Sequence, residues 1–273
     1  MVFLRGRLGG LNRRVQGYLL YSHAWPTTLT RIFGKIHGMV MYAFYGTRSS
    51  QTILEPRHYL ARLLKPGDTY VDIGASFGDT IRIAVDAVGN QGTIYAFEPQ
   101  TEVFQQLVQM IERFGWDTVT PIQTLVGNHT GASVMYTHPT NRRISSTSPA
   151  WNNIESTPIS YPITKLDDWV AAQGVNSVDF IKIDVEGAEL QVVRGAKTLL
   201  STNRPTLLME INNRKLRRDK LDYTIDDLLS ELRQAGYRHF QVLRLEGLVS
   251  FDEEADLQEA DRDMIAHAEK ILP

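Results

Sequence analysis

Four acids close four apolar, β-branched runs in this 273-residue chain. Asp72 follows Thr69-Tyr70-Val71, Glu98 follows Thr93-Ile94-Tyr95-Ala96-Phe97, Asp184 follows Phe180-Ile181-Lys182-Ile183, and Glu210 ends Thr206-Leu207-Leu208-Met209. Runs of this length and composition read as buried strands. Any one of these acids could serve only to cap the helix that follows it. Brought together at corresponding strand ends, they would form a surface of hydrogen-bond acceptors. Such a surface can hold a cation, accept the hydroxyls of a sugar, or take the proton of a reacting hydroxyl.

The elements that would position these acids alternate. Glu55–Leu64 has helical periodicity and stops at Lys65-Pro66-Gly67. A strand over 69–73 enters the loop Gly74-Ala75-Ser76-Phe77-Gly78, which leads into a helix reaching about Ala87. A strand over 93–97 and a helix over 101–114 follow, then strands over 119–126, 177–184 and 205–211. Helices are expected over 165–172, 188–200 and 225–235, with candidate final strands over 237–243 and 248–251. Residues 131–163 interrupt the rhythm with two short strand-like pieces around a polar stretch, as a hairpin inserted over one edge as a lid would be. Buried strands alternating with amphipathic helices imply an α/β fold with a mostly parallel sheet covered on both faces. Ligands of such sheets sit beyond the carboxyl ends of the strands, where the four acids are.

The glycine loop narrows the ligand. Ser76 stands where a dinucleotide-binding loop needs its middle glycine, and no Gly-Lys-Ser/Thr follows to make a phosphate loop. Asp72 beside the loop would repel a pyrophosphate and attract a cation. S-adenosylmethionine carries an ammonium, a sulfonium and a ribose diol, and Glu98 could accept both ribose hydroxyls. The candidate cofactor residues are therefore Asp72, Gly74, Ala75, Ser76, Gly78 and Glu98.

Four segments, Asp72-Ile-Gly-Ala-Ser-Phe-Gly78, Phe97-Glu98-Pro99, Asp179-Phe-Ile-Lys-Ile-Asp-Val-Glu-Gly-Ala-Glu189 and Arg204-Pro-Thr-Leu-Leu-Met-Glu210, together resemble the FkbM-type methyltransferase family. The resemblance covers about residues 55–245. It implies a Rossmann-like class I methyltransferase fold with a seven-stranded sheet. It also implies S-adenosylmethionine-dependent O-methylation of a sugar, glycolipid or natural-product hydroxyl.

For such a transfer the acceptor's proton must leave, either to a carboxylate or through a metal that acidifies the hydroxyl. Lys182, Asp184 and Glu186 alternate at the exit of one strand, so their side chains would share a face. Asp184 is the leading candidate for base or metal ligand, Glu186 the second, and Glu210 the third, on the neighbouring strand. Asp184, Glu210 and Asn212 could form an all-oxygen site for Mg²⁺ or another divalent cation. His129 and His138 flank the insertion as weaker candidate bases. Arg142 and Arg143 could meet an anionic group of the substrate, and Trp151, Tyr161 and Trp169 could stack on a sugar.

Composition adds boundaries. The chain is 42% hydrophobic and 22% charged, ordinary for a globular enzyme, and has no cysteine for a disulfide, thiolate ligand or thiol nucleophile. Residues 1–54 hold six arginines, one lysine and no acid, whereas residues from Asp252 onward hold eight acids. The expected organisation is a basic, partly helical extension over 1–54, a methyltransferase domain over 55–251 and an acidic tail over 252–273. The basic segment could lie on an anionic membrane surface, giving a cytoplasmic, membrane-peripheral protein. A small-molecule or glycan acceptor is the expected partner, and a homo-oligomer is left open. Nucleic acid is not expected, because the cluster Arg214, Lys215, Arg217 and Arg218 lacks interleaved aromatics. The alternatives are a nicotinamide-dependent oxidoreductase and a nucleic-acid methyltransferase on the same fold.

Overall fold

Strand β1 is buried along its length from Tyr70 to Ile73, which explains why this stretch is apolar at every position except Asp72. It follows α1 (Pro56–Leu63), occupies Thr69–Ile73, and leads into α2 (Asp79–Val88), β2 (Thr93–Phe97), α3 (Thr101–Phe114) and β3 (Val119–Ile122). Next come β4 (Leu125–Val126), β5 (Gly131–Thr137), β6 (Thr157–Thr164), α4 (Leu166–Gln173), β7 (Phe180–Ile183), α5 (Glu189–Arg194) and α6 (Lys197–Thr202). The chain continues through β8 (Thr206–Ile211), α7 (Ile225–Gln234), β9 (His239–Arg244), β10 (Gly247–Ser250) and β11 (Arg262–His267). The computed structural model describes residues 56–137, 145–147, 156–211, 223–244, 247–251 and 262–268. The basic segment 1–54 lies outside the described residues, as do His138, Arg142, Arg143, Trp151, Asn212 and the cluster Arg214–Arg218. Among the described residues no helix is long and apolar enough to cross a membrane.

The main sheet runs β10-β9-β11-β8-β7-β1-β2-β3. Its five strands from β8 to β3 are parallel, with Ile73 paired to both Phe97 and Ile183. Two apolar clusters cover it. One joins Val71, Ile73 and Ile181 to Leu190, Leu199 and Leu228; the other joins Tyr70, Ile94 and Ala96 to Leu60, Ile81 and Leu107. Helix α3 shows the periodicity behind this arrangement, because Val103, Leu107 and Ile111 are the residues it buries. Helix α7 starts at a capping box in which the Thr224 hydroxyl accepts from the Asp227 amide at 3.2 Å and the Asp227 carboxylate accepts from the Thr224 amide at 2.7 Å.

Two expectations need correction. Among the described residues the main sheet has eight strands: the seven expected, with β10 paired antiparallel to β9 at the edge, and β11 as an eighth. Residues 252–273 are not simply an acidic tail, and the domain does not stop at 251. Strand β11 inserts between β8 and β9, antiparallel to both, and buries Met264, Ile265 and Ala266. Three apolar residues between Asp263 and His267 give little strand signal, and their partners lie far away in sequence. Two boundaries also shift. The run 119–126 splits after Ile122, its end leaving for a second sheet, β4-β6-β5. The expected helix 188–200 is broken at Gly195, where a Cβ would lie 1.8 Å from the Gly127 carbonyl oxygen.

At the far end of β11, away from the acids, His267 is buried opposite His239, and its Nδ1 lies 3.3 Å from the Thr206 hydroxyl. Burial, helped by the His239 charge, lowers the His267 pKa to about 4 from 6.5. Between those values the unfolded chain binds the proton and the folded one does not, so His267 removes stability as pH falls from about 6.5 towards 4. In urea unfolding, the stability advantage of the wild type over His267→Gln should shrink by about 1.4 kcal/mol per pH unit across that window. An advantage that stays constant with pH would show that this ring does not titrate on folding.

Candidate active site

The glycine loop after β1 turns its polar groups inward. The amides of Gly74 and Ala75 both donate to the Phe97 carbonyl, at 3.0 and 2.9 Å, and the Gly78 amide donates to Ala75. Ser76, in the left-handed region at φ 51°, donates its amide to Glu98 Oε2 at 3.0 Å. Gly74 has its own reason to be glycine. Its φ is +86°, and a Cβ there would lie 1.9 Å from the Asp184 carbonyl oxygen. At Gly78 the same space is filled by Met110 Cε and Leu107 Cδ1. Both glycines therefore let this chain pack against itself, at β7 in one case and α3 in the other.

Glu98 is buried at the end of β2. One carboxylate oxygen accepts the Ser76 amide and the other the Gln100 amide, at 2.9 Å. Burial raises its pKa to about 7, against the lowering effect of those two N–H groups. Asp72 is fully buried: the Thr80 hydroxyl donates to its Oδ2 at 2.5 Å, and Lys182 Nζ lies 3.4 Å from its Oδ1.

The ends of β7 and β8 bring the remaining acids together. Carboxylate oxygens of Asp184, Glu186 and Glu210 all lie within 4.8 Å of one another. The Asp184 side chain is 38% exposed, so the cluster opens to solvent on one side. Lys182 Nζ sits 3.1 Å from Asp184 Oδ2 while also reaching Asp72, so one ammonium bridges β1 and β7. Burial alone would lower its pKa, but the Asp184 and Asp72 carboxylates overcome this and hold the ammonium charged. Glu210 is pushed up by burial and by the Asp184 charge, and it hydrogen-bonds to Asp184. Glu186, at the turn after β7, has φ 57°, a strained backbone for a residue with a side chain.

Two acids beyond the sequence candidates join this region. Asp263 on β11 is the register partner of Glu210, and its pKa is raised to about 7 by burial and by Asp184. It could have been found only by recognising β11. Glu189 is buried at the start of α5, where it accepts from the Gly187 amide and the Tyr223 hydroxyl. The insertion also reaches the strand ends. Ser146 exchanges backbone hydrogen bonds with Tyr136, its hydroxyl donates to the Glu186 carbonyl, and the Ser145 hydroxyl donates to Gln100. Other candidates lie elsewhere. His129 is exposed beside Asn128, Trp169 packs edge-on to Tyr95 and Phe97, and Tyr161 is buried in the small sheet.

A family profile described as the methyltransferase FkbM domain matches residues 72–239. The 2-O-methyltransferase NoeI of Sinorhizobium fredii is 45% identical over 47 residues, which is 17% of this chain and 19% of that protein. Among solved structures, a methyltransferase FkbM from Methylobacillus flagellatus superposes with a TM-score of 0.49 at 16% identity, covering 78% of this chain and 50% of that one. Fibrillarin from Aeropyrum pernix, in complex with natively bound S-adenosyl-L-methionine, gives a TM-score of 0.44 at 18% identity, over 85% of this chain and 74% of that one. The chain thus spans half of the FkbM structure and under a fifth of the NoeI relative.

Proposed function

Because the chain belongs to the FkbM methyltransferase family, we propose that it is an S-adenosylmethionine-dependent O-methyltransferase acting on a hydroxyl of a sugar, glycolipid or other natural product. The observation that best supports this cofactor is the direction of the loop's polar groups. The amides of Gly74, Ala75, Ser76 and Gly78 are all used within the chain. Those four amides are therefore not left for a ligand, whereas Glu98 beside them presents acceptor lone pairs. That surface suits an ammonium and a ribose diol and is a poor seat for the pyrophosphate of a nicotinamide dinucleotide. Glu98 fits the diol because each of its oxygens accepts one backbone amide and keeps a further lone pair.

Bound S-adenosylmethionine supplies a methyl group activated by its positively charged sulfur. The chain's residues aim the acceptor oxygen and dispose of its proton. Asp184 is assigned the proton: Lys182 holds one of its oxygens, and Glu210, whose raised pKa favours the protonated form, hydrogen-bonds to it. Accepting the proton as the O–C bond forms avoids a free alkoxide, which no carboxylate could generate. The short NoeI match supports oxygen as the atom methylated.

A second reading rests on the close approach of Asp184, Glu186 and Glu210. A divalent cation held by these oxygens would acidify the acceptor hydroxyl. Glu186 here takes the place that the sequence suggested for Asn212, which lies outside the described residues.

Titration calorimetry with S-adenosylmethionine and with NAD(H) tests the cofactor. Binding of NAD(H) alone would overturn the proposal. Below pH about 7 protonated Glu98 can no longer accept both hydroxyls, so the S-adenosylmethionine association constant should fall towards tenfold per pH unit. Glu98→Gln should bind more weakly and lose that pH dependence. Methyl transfer to a panel of sugar and glycolipid hydroxyls identifies the acceptor, and full activity in the presence of a chelator removes the cation from the scheme.

A further inference from the structure

Residues 145 and 146 belong to the insertion, yet their side chains are tied to the ends of two strands of the main sheet. Ser146 is 1% exposed and Ser145 7%, unusual burial for consecutive serines in a connecting segment. A backbone bridge to Tyr136 fixes Ser146 to β5, with N–H···O distances of 2.8 and 3.2 Å. From that anchor the two hydroxyls diverge. Ser145 donates to Gln100 Oε1 at 3.1 Å, and Gln100, itself buried, donates its backbone N–H to Glu98 Oε1. Ser146 donates to the Glu186 carbonyl at 2.9 Å, at the residue whose φ is 57°.

We propose that Ser145 and Ser146 form a two-sided strap: Ser145, through Gln100, positions the Glu98 corner that receives the cofactor, and Ser146 positions the Glu186 turn on the acceptor side of Asp184. This rests on the methyltransferase reading above. The physical case is that each hydroxyl satisfies a group whose conformation the site depends on. A left-handed turn at a residue with a side chain persists only where its surroundings over-determine it, and the Ser146 bond is one of those determinants. Gln100 Oε1 is buried, and losing a donor there costs more than losing an exposed hydrogen bond. The insertion is then part of the catalytic scaffold, joined at one short segment to both halves of the site. Neither serine is a catalytic residue, since each acts through a neighbour.

The two halves predict different kinetic signatures. Ser146→Ala should lower kcat/KM for the acceptor about tenfold, as expected for one lost hydrogen bond to a buried carbonyl. It should leave the S-adenosylmethionine Kd from calorimetry at the wild-type value. Ser145→Ala should do the reverse, weakening cofactor binding about tenfold and leaving kcat at saturating cofactor near wild type. Ser146→Thr keeps the hydroxyl and should recover most of the acceptor effect, which a purely steric role would not allow. Thermal unfolding of each variant separates these effects from loss of fold. Wild-type protein that binds no S-adenosylmethionine would overturn the methyltransferase reading itself. Wild-type protein that binds and turns over, with both alanine variants indistinguishable from it or altered identically, would overturn the strap.

Discussion

Asp184→Asn is expected to lower the methyl-transfer rate constant by about 10²–10⁴-fold, the usual contribution of a general base, with S-adenosylmethionine affinity nearly unchanged. Asparagine has the same shape and keeps an oxygen that can accept from Lys182, now 3.1 Å from Asp184 Oδ2. Lys182 retains its second partner, Asp72. The substitution therefore removes the proton acceptor and leaves the scaffold around it. Because the Asp184 side chain is 38% exposed, its charge contributes little to stability, and the variant should fold. Single-turnover transfer from labelled cofactor gives the rate, and calorimetry gives the affinity. Glu210→Gln is the informative companion. If Glu210 is the protonated member of the pair, its amide can still donate to Asp184, and the loss should be much smaller. Intact turnover in Asp184→Asn, or a larger loss in Glu210→Gln, would move the base to another residue.

The parallel half of the fold was legible because its signals are local. β1, β2 and β8 are short, apolar, buried on both faces and followed by turn chemistry or a helix, and their boundaries differ by at most one residue from those expected. What failed was set by contacts distant in sequence. β11 has Met264, Ile265 and Ala266 to declare it, and it is a strand because β8 and β9 leave a gap between them. Without β11, Asp263 was invisible as a neighbour of Glu210. The break at Gly195 is imposed by the Gly127 carbonyl some 70 residues earlier. For the candidate site, strand order put Asp184 and Glu210 at neighbouring strand ends, whereas Glu186 meets them through the left-handed turn after β7 and not through the strand alternation expected of it. The sequence did not reveal that one ammonium, Lys182, sits between Asp72 and Asp184, since a lysine in a buried strand takes its meaning from the partners across the sheet.

The glycines test the same lesson quantitatively. Gly74→Ala should destabilise the protein by about 3 kcal/mol or more, the range for overpacking added to an unfavourable backbone conformation. The new Cβ would sit 1.9 Å from the Asp184 carbonyl oxygen and 3.0 Å from its carbon. Those are backbone atoms of a paired strand, since the Asp184 amide donates to Ile73 at 3.0 Å, so no side-chain rotation relieves the overlap. The close contacts of Gly78→Ala are with Met110 Cε and Leu107 Cδ1, ends of flexible side chains, Ile81 Cβ being at an ordinary 3.7 Å, so it should cost less. Gly174→Ala has a positive φ of 66° with nothing within 4 Å, so it isolates the conformational cost alone, about 1–2 kcal/mol. Urea unfolding should therefore rank Gly174→Ala, Gly78→Ala and Gly74→Ala in increasing order of damage. Folded Gly74→Ala protein should also lose turnover beyond its loss of stability, because the displaced peptide carries Asp184. A Gly74→Ala variant no less stable than Gly174→Ala would mean that β1 and β7 do not meet this closely, and the placement of Asp184 against the loop would fall with it.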